Sequence, residues 1–374
     1  MKRTYYIDRL RIFLITLVIF HHSAIAFGAM GGWYYVTPNA TTGAVQFILS
    51  LFLATNQAFF MSLFFFVSAL LMPVSFDRKG FGKFMKDRLV RLGIPLMVYT
   101  LLIHPTLKFA VSVHQGGMSE PWLDFVWITD TAYPGPGPMW FALTLLIFET
   151  VYASYRRFSK RTVEAKPVDG LPSRQDFILF IAGTGLLAFG IRYFYPLGKN
   201  FFGLQFGYFV LYVAMYALGI VACRRNWLER VTLREARPWF VTSLLAIVFF
   251  GIVAAWSKAH GAISDFSGGM NPLAFFYAMW EPVICVGFCF FLLMFFKAYL
   301  DKPGRLVLVL SADSYTVYIF HPLIVVGFTN LSEHAAISPL ARLALVVDAP
   351  GIHVFSEKKY VWNNHTIVWY MRTV

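Results

Sequence analysis

Long apolar runs separated by short polar segments dominate this chain. Nine runs reach the roughly 20 mostly apolar residues that a helix needs to cross a bilayer: about 11–30, 45–74, 92–112, 138–155, 177–197, 201–223, 238–257, 273–296 and 306–328. A tenth begins near Pro339, in LARLALVV, and is short. The pattern predicts an all-α, polytopic integral membrane helix bundle with about ten transmembrane helices, one membrane domain over residues 1–347. The first run is too long for a cleavable signal and lacks a small-residue cleavage site, so it is expected to stay as an anchor. The stretch WITDTAYPGPGPMW, rich in Pro and Gly, is expected to be a turn leading into the fourth span. The only sizeable polar segment, 156–176, is too short for a separate domain.

The charges between the runs give an orientation. Lys2, Arg3, Arg9 and Arg11 lie at the amino terminus, and Arg78, Lys79, Lys83, Lys86, Arg88 and Arg91 follow the second run. Arg156, Arg157, Lys160, Arg161, Lys166 and Arg174 follow the fourth. Arg224, Arg225, Arg230, Arg234 and Arg237 follow the sixth, and Lys297, Lys302 and Arg305 the eighth. The alternate connections hold little beyond Arg192, Lys199 and Lys258. Such alternation is the positive-inside pattern of a chain whose amino terminus is cytosolic.

Composition agrees with the pattern. Of the 374 residues 58% are hydrophobic and 14% charged, against about 25% charged in an average soluble domain. The mean hydropathy is +0.61. A net charge of +13 would suggest nucleic acid if it formed a patch. Here it is split into clusters between apolar runs, which argues against that partner. Cys223, Cys285 and Cys289 offer neither a metal-ligand spacing nor a disulfide framework. Cys285 and Cys289 fit two small packing residues on one helix face. No G-x-S-x-G, P-loop, G-x-G-x-x-G or H-E-x-x-H motif is present.

Ionisable residues within spans are costly and point to function. In the first span Arg11 and His22 are eleven helical steps apart, which brings them within about 20° of one face and separates them by about 16 Å. With Arg11 at the cytosolic boundary, His22 falls near the bilayer midplane. An imidazole there can take a proton from a hydroxyl and return it to a leaving group, or simply hydrogen-bond between helices. His21 points about 100° away. Arg88 and Arg91, at i and i+3 before Pro95, suit phosphate or serve as ordinary topology-setting charge. Asn56, His104, Glu149, Glu281, Asp313 and His321 are the other polar positions within spans. Glu281 precedes a proline, which frees backbone groups and suggests a polar cavity.

These residues also carry a resemblance. RTYYIDRLRIFLITLVIFHHS resembles the start of the acyltransferase 3 family of membrane O-acyltransferases, with Asp8, Leu10, Arg11 and His22 at its motif positions. FFFVSALL resembles a second-span motif, with Ala69 where glycine is usual. RLVRLGIPL matches a third segment through Arg88, Arg91 and Pro95. GPMWFALTLLIFE resembles a fourth, with Pro138 and Met139 in place of His-Leu, and SYTVYIFHPL a fifth through Tyr318, His321 and Pro322. The wording, YALGIVACRR included, is most similar to the branch containing the glucan biosynthesis protein C, a succinyltransferase. The likeness spans about residues 4–346.

The resemblance implies transfer of acetyl or succinyl from cytosolic acyl-CoA to a hydroxyl of an extracytoplasmic carbohydrate such as a periplasmic glucan. It implies a multi-pass protein of a bacterial inner membrane and no metal. His22 would be general base or acyl relay, and Arg11, Arg88 and Arg91 would face the coenzyme's phosphates. Asp8, His21, Glu281 and His321 are the positions expected to line the substrate cavity. Residues 348–374 depart from the family's final span, as a truncation or altered reading frame would produce. Two other classes compete. A transporter of a sugar or lipid often shows two similar halves, and a sensor needs a soluble signalling domain. The chain shows neither feature.

Overall fold

The computed structural model describes residues 4–117, 121–132, 135–159 and 171–348. Among them every regular element is helical, apart from one isolated bridge, Phe201 to Leu204. In chain order the helices are α1 Tyr5–Ala26, α2 Gly43–Arg88, α3 Ile94–Val98, α4 His104–His114, α5 Trp122–Ala132 and α6 Trp140–Phe158. They continue with α7 Arg174–Phe194, α8 Phe209–Arg224, α9 Trp227–Arg230, α10 Leu233–Ala259, α11 Pro272–Leu300 and α12 Arg305–Ser332.

Seven helical segments of the described residues are long and apolar enough to cross a membrane. One of them, Gly43–His114, is 72 residues long and contains both the second and the third predicted runs. The basic stretch expected as a loop between those runs is helical on both sides of Gly80, whose φ of 68° and ψ of 172° break the helix. Lys79 and Asp87 pair across that break at 2.7 Å. The fourth run forms α6, apolar to Tyr155 but carrying Glu149, Arg156 and Arg157. The stretch expected as a turn is helical in its first part, because α5 continues to Ala132. The Pro and Gly residues that stop a helix begin only at Pro134. The tenth run is helical over residues 339–348, about 15 Å at 1.5 Å per residue and half a span. Nearly all of the atypical tail lies outside the described residues.

Two π-helical turns, Leu89–Gly93 and Tyr99–Ile103, interrupt the end of the Gly43–His114 segment. Each contains the residue four positions before a proline: Arg91 before Pro95, and Leu101 before Pro105. A proline ring clashes with the carbonyl at i−4 and offers it no N–H, and a widened turn relieves both problems.

The chain packs as two compact units. One comprises Met1–Asn56, Ala110–Gly117 and Tyr299–Val374; the other comprises Gln57–Phe109 and Met118–Ala298. In the first, α1 lies along α12. Its start is fastened by Asp301, whose carboxylate accepts from the Tyr6 amide at 3.1 Å and so satisfies an otherwise orphaned N–H. In the second, α10 and α11 touch at Gly287. A Cβ placed there would sit 1.9 Å from Ser243 Oγ and 2.5 Å from the Trp239 carbonyl. Small residues permit such close backbone approach where no hydrophobic force drives helices together. Gly287→Ala should therefore destabilise the protein by about 1–3 kcal/mol through overpacking. Thermal unfolding in detergent measures this, and an unchanged Tm would refute the close contact.

Candidate active site

Helix α1 carries Arg11 and His22 without a break, so the sequence-derived alignment of the two on one face holds. The inward stripe of α1 is Ile7, Leu10, Leu14, Val18, His21 and Ile25, all buried, at the spacing of a helical core face. His21 belongs to that stripe. Its Nδ1 is 3.1 Å from Asn56 Nδ2 of α2, and since the amide nitrogen only donates, the ring nitrogen accepts. This is the hydrogen bond of a packing residue.

His22 stands beside the stripe, half-buried, in a cluster of three nearly parallel rings. Trp33 lies 3.9 Å from it, centroid to centroid, with 19° between the planes. His321 of α12 lies 5.2 Å away at 18°. Trp33 and His321 are themselves 6.0 Å apart.

Pro322 explains the setting of His321. Having no N–H, it leaves the carbonyl four residues earlier, that of Tyr318, without its helical partner. His321 Nδ1 lies 2.6 Å from that oxygen and donates to it, so Nε2 is the ring's acceptor. His321 Nε2 and His22 Nδ1 are both buried and lack a hydrogen-bond partner among the described residues. Trp33 Nε1 and Tyr315 OH share that condition. Buried polar atoms of this kind are uncommon and call for an explanation. A hydroxylated ligand is one.

Trp33 is presented by the loop between α1 and α2, which is tied down at several points. Thr37 N donates to the Ala26 carbonyl at 2.9 Å, and Thr41 donates to the Phe27 carbonyl through both its N–H (2.9 Å) and its hydroxyl (2.8 Å). Gly28 has φ +103°, and a Cβ there would meet Ala40 Cβ at 2.9 Å, so the turn requires glycine. Two residues beyond Trp33, Tyr35 OH donates to Glu333 Oε1 at 2.6 Å, with His114 Nε2 at 3.3 Å. Burial, and then the Glu333 carboxylate, push the Tyr35 phenol well above its usual value. It therefore remains a donor.

The other predicted residues have identifiable settings. Asp8 accepts from Ser311 Oγ of α12 at 3.0 Å, joining the two helices. Arg11 is half-buried. In the second unit Arg88 Nε lies 3.3 Å from Glu149 Oε2 of α6, and its guanidinium covers the Phe84 ring at 4.9 Å. Arg91 lies on the first π turn, so the α-helical i, i+3 register expected for Arg88 and Arg91 is altered there. Glu281 is fully buried and ion-paired with Arg192 of α7. Arg192 Nε also donates to the Gly207 carbonyl at 3.0 Å, and its guanidinium sits between the rings of Tyr208 and Tyr277, 5.5 Å from each. Arg192 is thus an interior residue of α7 and not a loop charge. Among the described residues no group of His, Cys, Asp or Glu side chains is arranged to hold a metal.

Sequence reading missed Trp33, because its loop was read only for charge. It also left the three-residue step from Tyr318 to His321 and the following proline unconnected, although that spacing contains the orientation of the imidazole.

Among the described residues the fold and site define a helical protein with seven segments long and apolar enough to cross a membrane, and with two histidines in its first unit that each carry a buried nitrogen without a hydrogen-bond partner. The particular family follows from comparison. Residues 4–348 match the family model for the acyltransferase domain of the acyltransferase 3 family, and the chain belongs to that family. No curated protein and no solved structure matches it.

Proposed function

We propose that this protein transfers an acyl group, acetyl or succinyl, from cytosolic acyl-CoA to a hydroxyl of an extracytoplasmic glycan, with His22 as the catalytic base. The observation that carries the reading is the buried His22 Nδ1, without a hydrogen-bond partner among the described residues, on a ring stacked on Trp33 and 5.2 Å from the ring of His321, which carries a second such nitrogen. The acceptor hydroxyl supplies the missing hydrogen bond. His22 takes the hydroxyl proton as the oxygen attacks the thioester carbonyl. The carbon–sulfur bond then breaks, and the proton passes to the departing coenzyme thiolate. His321 Nε2 is a second acceptor that orients the sugar, and Trp33 keeps the His22 ring from rotating.

Arg11, Arg88 and Arg91 are proposed to meet the donor's phosphates. Arg88 shares its guanidinium with Glu149, so it would contact phosphate through its remaining N–H groups, of which an arginine has five in all. The reading takes the amino terminus as cytosolic. It counts about ten passes, with Gly80 dividing the long segment and α6 completing a pair. It places the protein in a bacterial inner membrane. Similarity to the glucan biosynthesis protein C branch supports a periplasmic glucan as acceptor.

Mass spectrometry of surface and periplasmic glycans from cells with and without the gene tests this. An acyl mass increment present only with the gene is expected. Glycans identical in acylation but different in location would favour a transporter instead.

A further inference from the structure

The second unit holds a groove of about 1020 Å³ among α2, α7, α8, α10 and α11, which the proposed reaction does not use. Its inner wall is apolar: Phe66, Phe177, Met215, Trp239, Phe290 and Leu293 line it. Its rim is basic. Arg174 at the start of α7, Arg225 just after α8 and Arg234 at the start of α10 all border the opening and are exposed. Among the described residues none of these three is in a salt bridge. Arg224 beside them contrasts, being committed to Asp77 at 2.5 Å.

Two acidic residues share the rim, Asp176 and Glu235. Each is turned to its own helix start. Asp176 accepts from Ser173 N at 2.7 Å and Glu235 from Thr232 N at 2.8 Å, in capping boxes. Each carboxylate thus sits on the positive end of its own helix, and the three arginines are the cationic groups of the rim. From Arg225 to Met215 the groove follows ten residues of helix, about 15 Å, which is half of a hydrocarbon core about 30 Å thick. That is the depth of one leaflet's acyl chain.

From this geometry we infer that the groove holds an anionic phospholipid of the surrounding bilayer, one acyl chain against the aromatic wall and the phosphate at Arg174, Arg225 and Arg234. Arginine forks match phosphate oxygens, and a zwitterionic headgroup would bring an ammonium to the same cationic rim.

Native mass spectrometry of the full chain, released from bilayers of equal phosphatidylglycerol and phosphatidylcholine, tests the inference. The unmodified protein should retain phosphatidylglycerol several-fold over phosphatidylcholine. The double variant Arg225→Ala with Arg234→Ala alters only exposed side chains, and its preference should fall towards parity. Leu218→Trp, which fills the apolar part, should reduce retention of both lipids. Equal retention of the two lipids by the unmodified protein would overturn the inference, as would an unchanged preference in the double variant. Palmitoyl-CoA displacing phosphatidylglycerol at equimolar concentration would assign the groove to an acyl donor and equally overturn it. Displacement by millimolar inorganic phosphate would remove the lipid chain from the argument.

Discussion

Replacing His22 with Ala should lower acyl transfer by about 10²–10⁴-fold, the range that a positioned proton carrier contributes, while the protein still folds. Half-buried on α1, the ring makes stacking contacts but no hydrogen bond through Nδ1 that the fold would miss. His21→Ala is the matched control. It removes the bond to Asn56 and leaves that buried amide without its acceptor, so it should cost about 1–3 kcal/mol of stability, with transfer largely retained. Transfer is measured by incubating membranes with labelled acyl-CoA and acceptor glycan, and folding by gel filtration in detergent. If folded His22→Ala transferred at the unmodified rate, or if only His21→Ala lost transfer, His22 would not be the base.

The largest stability effect is expected at the Arg192–Glu281 pair. Both side chains are 1% exposed. Glu281→Ala leaves a guanidinium buried with the Gly207 carbonyl and two tyrosine rings as its remaining company. Breaking a buried ion pair on one side costs about 3–5 kcal/mol, because the surviving charge has no counter-ion, whereas replacing both partners by apolar residues is often neutral. Glu281→Leu together with Arg192→Met should therefore recover most of the loss. The same arithmetic bears on the expectation that Glu281 lines a substrate cavity: its charge is answered within the fold. Thermal unfolding of the three proteins decides it. A Glu281→Ala protein as stable as the parent would show that the pair contributes nothing.

Much of this protein can be read along the chain. An apolar run of about 20 residues has few alternatives to a helix, since lipid offers backbone groups no partner. All-helical architecture and membrane character follow from that. The eleven-step spacing of Arg11 and His22 likewise has one meaning once the segment is helical, because helical geometry is local. Family membership was legible from five short motifs in order, and the family match over residues 4–348 agrees.

Tertiary structure decided which polar residue meets which. Glu149 with Arg88, Glu281 with Arg192, and His21 with Asn56 are each separated by tens of residues in the chain. No periodicity specifies a partner on another helix. The same holds for Trp33 over His22: a loop turn at Gly28 and the hydrogen bonds of Thr37 and Thr41 place it there. Helix geometry is set by neighbours within four residues. The pairing of side chains between helices is set by packing the whole chain, and the orphaned nitrogens of His22 and His321 became visible only after that packing was known.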